Sequence, residues 1–226
     1  MRSINKGASP QIYTDYHDAR NDLADKLGWY CSYCEMSVSN MIEVEHIHPI
    51  ANGGNELDWN NFLLSCKYCN TVKRTRNLSR AGYLWPDVDN TILAFKYSEN
   101  EVITPSEGLS DDITNFAVES INLFGLNRAP GLPNEPTDRD TRWKLREEVR
   151  GIINDSYNNW IESPTLPMAR QIALTALGSG FYSLWIENFK NIPDVKNAIE
   201  EQYTTKGNYM PQYHNNVLVI RQNGIF

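Results

Sequence analysis

CSYCEMSVSNMIEVEHIHPIANGGNELDWNNFLLSCKYCNTVK, residues 31–73, is the stretch of the chain that decides its fold. It contains two Cys-x-x-Cys pairs, which together hold all four cysteines of the chain: Cys31 and Cys34, Cys66 and Cys69. Four thiolates in two doublets are the tetrahedral ligand set that zinc prefers, and such a closed set leaves no position for water. The sequence therefore predicts a structural zinc ion that stabilises a small fold. Four unconnected buried thiols are the alternative interpretation.

The residues between and after the two cysteine pairs include groups that could cleave a phosphodiester bond. Such cleavage needs a base that activates water and a cation that neutralises charge on the phosphate. His46 is suited to be the base, because a neutral imidazole is available near pH 7. Glu45 and Asn70 offer the hard oxygen ligands that Mg²⁺ or Mn²⁺ prefers. Because neighbours in a regular strand point to opposite faces, we predict a twist or bulge at 45–47 that turns Glu45 and His46 toward one site.

A local cluster of positive charge follows the candidate base. The whole chain has a net charge of −7, which argues against binding nucleic acid by bulk electrostatics, so any such site must be local. Residues 64–80 contain no acidic residue and the following basic ones: Lys67, Lys73, Arg74, Arg76 and Arg80. We expect Lys73, one helical turn after Asn70, to meet a phosphate at the metal, and Arg74 and His48 to contact nucleic acid as well. A solvated charged face, and for His48 a polar strand end, are the alternatives.

The rest of the chain predicts an α+β fold with a small zinc-stapled core. Strands are expected over 41–50 and 62–65, with a helix starting at Asn70 as its cap and a hairpin around Glu99-Asn100. Further helices are predicted over 14–27, 110–124, 138–162, 167–178, 181–190 and 193–202. We expect a nuclease domain over 1–105 and a mainly α-helical accessory or partner-binding region over 106–226. No secretory signal and no membrane-spanning apolar run is recognisable, so a cytoplasmic protein is expected.

The central motif resembles the HNH endonucleases with a ββα-metal fold, and within them the four-cysteine branch that includes phage endonuclease VII. The matching pattern is Cys31-x-x-Cys34, Glu45-His46-Ile47-His48-Pro49, Gly53-Gly54, Asn61-Phe62 and Cys66-x-x-Cys69-Asn70-x-x-Lys73. The resemblance implies that His46 is the general base and that Glu45 and Asn70 bind the catalytic Mg²⁺ or Mn²⁺. It also implies that Asn61 ties the loop together and orients His46. Glu45 stands where the family more often has Asp.

A second resemblance covers the start of the chain and a segment after the motif. Met1-Arg2-x-Ile4-x-Lys6-Gly7-x-x-Pro10 and Tyr83-Leu84-Trp85-Pro86-Asp87 are similar to HNH effectors of bacterial anti-phage systems, such as PtuB of Septu and of some retrons. This resemblance implies an ATPase partner that docks on a helical region. The leading hypothesis is thus a DNA endonuclease in anti-phage defence, with RNA as an alternative substrate. A non-catalytic zinc-knuckle adaptor that binds nucleic acid, or a repair or restriction nuclease, are the alternative functions.

Overall fold

The structure, a computed structural model, describes residues 1–98 and 102–226 and confirms the predicted α+β class. Its helices are α1 (Ala19–Leu27), α2 (Lys67–Lys73), α3 (Thr91–Ala94), α4 (Asp111–Phe124), α5 (Arg142–Glu162), α6 (Leu166–Ser179), α7 (Tyr182–Phe189) and α8 (Pro193–Thr204). Its strands are β1 (Glu43–His46), β2 (Phe62–Ser65), β3 (Phe95–Tyr97), β4 (Ile103–Pro105), β5 (Tyr213–His214) and β6 (Val217–Leu218). The strands form three antiparallel pairs.

The order β1, β2, α2 forms the centre of the molecule. Strands β1 and β2 pair in an unbroken register from Glu43 opposite Ser65 to His46 opposite Phe62. The next backbone bond, from Ile47 N to the carbonyl oxygen of Asn61, is 2.8 Å long and continues the same ladder. The predicted bulge at 45–47 was therefore wrong. In this regular pleat Glu45 and His46 point to opposite faces of the hairpin.

Helix α2 begins earlier than the sequence suggested. Cys66 is its N-cap, in an extended conformation, and its sulfur accepts a hydrogen bond from the backbone N–H of Cys69 over 3.4 Å. The prediction that Asn70 caps this helix was wrong, because the cysteine sulfur already satisfies a free N–H of the first turn. Asn70 consequently lies in the middle of α2, with its side chain on the helix surface.

Most other elements follow the predicted pattern. Ser110 caps α4 by accepting from the N–H of Ile113, and Gly125 ends that helix at φ 61°, as expected. The first helix differs from the predicted range 14–27 in that a 3₁₀ turn over Tyr16–Asp18, capped by Asp15, precedes α1. Helix α5 starts at Arg142. Strands β3 and β4 confirm the predicted hairpin, whose tip at Glu99-Asn100 lies outside the described residues.

Helices α4 to α8 pack against the zinc-ligand loops. The carboxylate of Glu35, which is 4 % exposed, accepts hydrogen bonds from the N–H and the hydroxyl of Ser183 in the first turn of α7. Its backbone carbonyl accepts from the N–H of Phe181 over 2.9 Å. These bonds satisfy donors at the start of a helix, where no intrahelical acceptor is available. Among the residues described, no helix is both long and apolar enough to cross a lipid bilayer.

Candidate metal centre and cleavage site

The four cysteines converge on one buried point between the loop after α1 and the start of α2. Their sulfur atoms all lie within 4.8 Å of one another, and those of Cys34 and Cys66 are 3.7 Å apart. Sulfurs bound to one zinc ion at about 2.3 Å lie about 3.8 Å apart at the corners of a tetrahedron. The geometry and the donor type therefore fit zinc, and the four residues form a metal site suitable for it.

Arg142, from the first turn of α5, supports this cluster from outside. Its guanidinium donates a 3.0 Å hydrogen bond to the sulfur of Cys69 and further bonds to the carbonyls of Phe124 and Gly125. Asp140 fixes the same guanidinium at 2.7 and 2.8 Å. Burial alone would lower the pKa of Arg142, but the sulfur of Cys69 and the carboxylate of Asp140 outweigh it and raise that pKa. Sequence reasoning missed this residue, since it lies far along the chain from the cysteines.

Glu45 points away from solvent into the space between β1 and α2. It is 2 % exposed, and its carboxylate lies 2.5 Å from Nζ of Lys73, which is itself 1 % exposed. The hydroxyl of Tyr33 donates to the other carboxylate oxygen, and Lys73 also donates to the carbonyl of His46 over 2.8 Å. Burial lowers the pKa of Lys73, an effect that Glu45 partly offsets. The expected contact of Lys73 with a phosphate stays a prediction; in this structure its ammonium is the counter-ion of the buried carboxylate of Glu45.

Asn70 is joined to a different carboxylate, that of Glu43. Its amide nitrogen donates to Glu43 over 2.8 Å, which leaves the amide oxygen for another partner. Glu43 and Asn70 line a cleft of about 570 Å³, with Ile42 and Val44 beside them. The opposite wall comes from the residues before and at the start of α1: Tyr16, His17, Asp18 and Arg20. Sequence reasoning missed Glu43, although its spacing of two from Glu45 places both side chains on the face of β1 that meets α2.

His46 lies on the other face of the hairpin, next to the same cleft wall. Its ring packs edge-on against Tyr16, with centroids 4.6 Å apart, and against Phe62 at 5.3 Å. The ring nitrogen Nε2 is 3.0 Å from the carbonyl oxygen of Glu56. Because a carbonyl oxygen only accepts, Nε2 carries the proton of the neutral ring, and Nδ1 is left with a free lone pair. This is the protonation pattern that a general base requires.

Asn61 holds together the loop that supplies this carbonyl. It is 7 % exposed, its side-chain oxygen accepts from the N–H of His48 over 2.8 Å, and its amide donates to the carbonyls of His48 and Asn55. Asn55 directly precedes Glu56, so the three bonds fix the backbone that orients His46. His48 contacts the carbonyl of Asn52 at 2.9 Å and lines a separate cavity of about 390 Å³.

Comparison with known protein families is consistent with this arrangement. Residues 31–76 match the model of the HNH endonuclease family. This chain contains an HNH endonuclease domain. The match includes both cysteine pairs, β1, β2 and α2. Similarity to this family over 31–76 indicates a nuclease. No curated protein matches the chain. The finer resemblances to phage endonuclease VII and to PtuB go beyond this match.

The basic residues that follow the HNH helix differ in accessibility. Arg74 is exposed at the C-cap of α2, with a positive φ of 46°. Arg76 donates to the carbonyls of Asn122 and Leu123 at the end of α4. Arg80 forms a two-armed ion pair with Asp87, at 2.9 and 2.8 Å. Of the predicted basic cluster around the HNH domain, Arg74 is thus available for a phosphate, whereas Arg80 already has a carboxylate partner.

Proposed function

We propose that this chain is a metal-dependent endonuclease that hydrolyses phosphodiester bonds of DNA, with His46 as the general base. The observation that carries the proposal is the contact of His46 Nε2 with the Glu56 carbonyl, which leaves Nδ1 of the neutral ring as the acceptor. The ring packs against Tyr16, which lines the cleft together with Glu43 and Asn70. In this proposal Nδ1 takes a proton from the attacking water. Asn61 acts through the loop backbone by keeping the Glu56 carbonyl in place, and Tyr16 limits the rotation of the ring.

The catalytic cation of the proposal is Mg²⁺ or Mn²⁺, held by Asn70 and a carboxylate of β1. When bound, such a cation stabilises charge on the phosphate and on the leaving oxygen. The oxygen atoms of Asn70 and Glu43 suit these hard cations and lie at the cleft. Glu45, which the HNH pattern predicts as the ligand, would have to leave Lys73 to reach the cation. We therefore propose Glu43 as the carboxylate that is ready to bind.

The test of the proposed base is nicking of supercoiled plasmid DNA in Mg²⁺ or Mn²⁺ by the full chain. His46→Ala should slow nicking by about 10²–10⁴-fold, the usual contribution of a positioned acid or base. His214→Ala, an exposed histidine on β5, is the matched control and should cut like the wild type. Equal cutting by both variants, at equal zinc content and equal circular dichroism, would show that His46 is not the base.

The proposed cation ligands can be separated by Mn²⁺ binding measured without DNA. In zinc-loaded protein, Asn70→Ala and Glu43→Gln should both weaken Mn²⁺ binding, whereas Glu45→Gln should not. If Glu45→Gln weakens Mn²⁺ binding and Glu43→Gln does not, the ligand is Glu45 and not Glu43. Absence of a Mn²⁺ site that depends on any of the three, together with no nicking, would favour the non-catalytic zinc-knuckle adaptor over the nuclease.

We further propose an anti-phage role for this nuclease. The two segments that resemble defence effectors contact each other: the N–H of Ile4 donates to the carbonyl of Pro86 over 2.8 Å, and Lys6 lies 3.5 Å from Asp87. Lys6 also donates to the carbonyl of Phe62 over 2.6 Å, so these segments brace β2. Expression in a phage-sensitive host should lower phage plating, and His46→Ala should abolish that protection. Equal protection by the His46→Ala variant would contradict a nuclease-based defence.

An ATPase partner that docks on residues 106–226 is the last part of the proposal. Several large apolar side chains of α5 and α6 are exposed, among them Ile161 at 61 % and Leu166 at 62 %. Aspartate at both positions should abolish phage protection while plasmid nicking by the purified chain is unchanged. Loss of both activities together would instead indicate that these side chains support the fold.

A further inference from the structure

The cleft lined by Glu43 and Asn70 is called the cleavage cleft from here on. Beside it lies a second concave surface of about 870 Å³, which we call the basic groove. One wall comes from α2 and the residues after it, with Lys67, Arg74 and Arg76. The other wall comes from the connector between α4 and α5, with Arg128 and Arg139. The connector residues lie more than fifty positions after the HNH motif, so the groove is a product of the tertiary fold.

The positive charges of the basic groove outnumber its negative charges. The one acidic residue among its lining is Asp140, whose carboxylate is already paired with Arg142 at 2.7 Å. Within residues 1–98 and 102–226, none of the five basic side chains lies at ion-pair distance from a carboxylate. Five positive charges against one carboxylate, in a chain of net charge −7, make a local site for a polyanion.

The basic groove and the cleavage cleft are lined, at two places, by residues that are neighbours in the chain. Met41 lines the groove, and the next residue, Ile42, lines the cleft. Thr71 of α2 lines the groove, and the preceding residue, Asn70, lines the cleft. These two adjacencies place the groove beside the cleft, within reach of the phosphates that flank a scissile phosphate at Asn70.

The floor of the groove suits the rest of a nucleotide. Tyr68 is half-buried there, with Met36, Val38 and Met41 around it. Aromatic and apolar side chains beside basic ones are the combination that binds nucleic acid through sugars and base faces as well as phosphates. A shallow groove lined only by charge would bind phosphate equally well but would offer no surface for the sugar.

We propose that the basic groove binds the DNA backbone that flanks the cleaved bond, with Arg128 and Arg139 contacting phosphates on the side away from α2. This inference rests on the proposed function, since the substrate of the cleft is taken to be DNA. It assigns to the connector after α4 a role in substrate binding that lies outside the HNH motif.

The test is DNA binding measured in EDTA, where cleavage does not interfere. Fluorescence anisotropy of a labelled duplex, over a series of salt concentrations, compares the wild type with Arg128→Gln/Arg139→Gln. Losing two phosphate contacts should reduce the slope of log affinity against log salt by about 1.8 and weaken binding on the order of 30-fold at 0.15 M salt. Arg170→Gln/Lys190→Gln, two exposed positions outside the groove, removes the same charge and is the control.

The outcomes separate this inference from the proposed nuclease. A reduced slope and weaker binding in the connector variant alone support the groove, whether or not plasmid is nicked. An unchanged slope in the connector variant, when the wild type binds and nicks DNA, would overturn the groove and leave the nuclease intact. Three other outcomes would each overturn the groove. They are equal losses of DNA affinity in the connector and control variants, binding of an RNA duplex but not of DNA, and no binding of DNA by the wild type. Zinc content and circular dichroism confirm that each variant is folded.

Discussion

Replacing Lys73 with methionine should destabilise the protein strongly. Lys73 and Glu45 form a buried ion pair at 2.5 Å, with side chains 1 % and 2 % exposed. Lys73 also donates to the carbonyl of His46, and Glu45 accepts from the hydroxyl of Tyr33. Methionine fills a similar volume but removes the ammonium. The carboxylate of Glu45 then stays buried without a counter-ion.

The expected cost follows from that uncompensated charge. Removing one partner of a buried pair costs about 3–5 kcal/mol, against an unfolding free energy of about 5–15 kcal/mol for a typical protein. The double variant Glu45→Gln/Lys73→Met leaves no buried charge, and Tyr33 can still donate to the amide oxygen of the glutamine. We therefore expect the double variant to be at least about 2 kcal/mol more stable than Lys73→Met alone.

Equilibrium urea unfolding, followed by tryptophan fluorescence with zinc in constant excess, measures these differences. The slopes against urea should be equal among the variants, so that midpoints can be compared directly. Lys144→Met, an exposed lysine at the start of α5, is the control and should change stability by no more than about 0.5 kcal/mol. A cost below about 1 kcal/mol for Lys73→Met, or a double variant whose cost equals the sum of the two single costs, would refute the burial and coupling of this pair.

Two further predictions concern the carboxylate and the guanidinium that link other segments to the HNH domain. Burial would raise the pKa of Asp87, but the ammonium of Lys6 and the guanidinium of Arg80 outweigh it and hold that pKa below its usual value. The stability that this carboxylate contributes is therefore present above about pH 4. It is lost as the pH falls through the lower pKa of the folded state. When the free energy of unfolding is measured as a function of pH, Asp87→Asn should be destabilised most at neutral pH and should approach the wild type in acid. The control Asp25→Asn, at an exposed position, should follow the wild type at every pH. A stability difference between Asp87→Asn and the wild type that does not depend on pH would contradict the ion pairs. Arg142→Met should weaken zinc binding about 10–100-fold, because it removes the hydrogen bond to Cys69. Competition with a chromophoric chelator measures this affinity, and Lys144→Met on the same helix, the control, should leave it unchanged. Equal zinc affinity of Arg142→Met and the wild type would contradict a supporting role for Arg142.

Features that depend on neighbouring residues could be predicted from the sequence. The cysteine doublets indicated their own cluster, because the ligands sit at fixed short spacing on either side of a hairpin. Strand β2 was expected over 62–65 and occupies Phe62–Ser65. Helix α4 was bounded correctly by Ser110 and Gly125, since a hydroxyl cap and a residue at positive φ act locally.

Features that depend on distant residues could not be predicted from the sequence. The bulge at 45–47 was expected so that Glu45 and His46 could face one site, whereas the fold keeps the strand regular and pairs the carboxylate of Glu45 with Lys73. The start of α2 was misplaced because a cysteine sulfur acts as its cap, which ordinary cap preferences do not include. No local pattern encodes where distant chain segments lie relative to the HNH motif. This is why the sequence did not indicate Arg142 or the groove residues Arg128 and Arg139.

The bond between Glu35 and the start of α7 bears on how far the HNH segment can be moved between proteins. Glu35 lies inside the 31–76 match, one residue after Cys34, yet the N–H and hydroxyl that bind its carboxylate belong to Ser183. A graft of 31–76 into another scaffold would carry a buried carboxylate without its donors. A recipient would have to present the first turn of a helix at the same place, and a cation where the N-terminal ammonium lies 3.0 Å from this carboxylate. Replacing Glu35 with a neutral residue is the other way for the transplanted zinc loop to close.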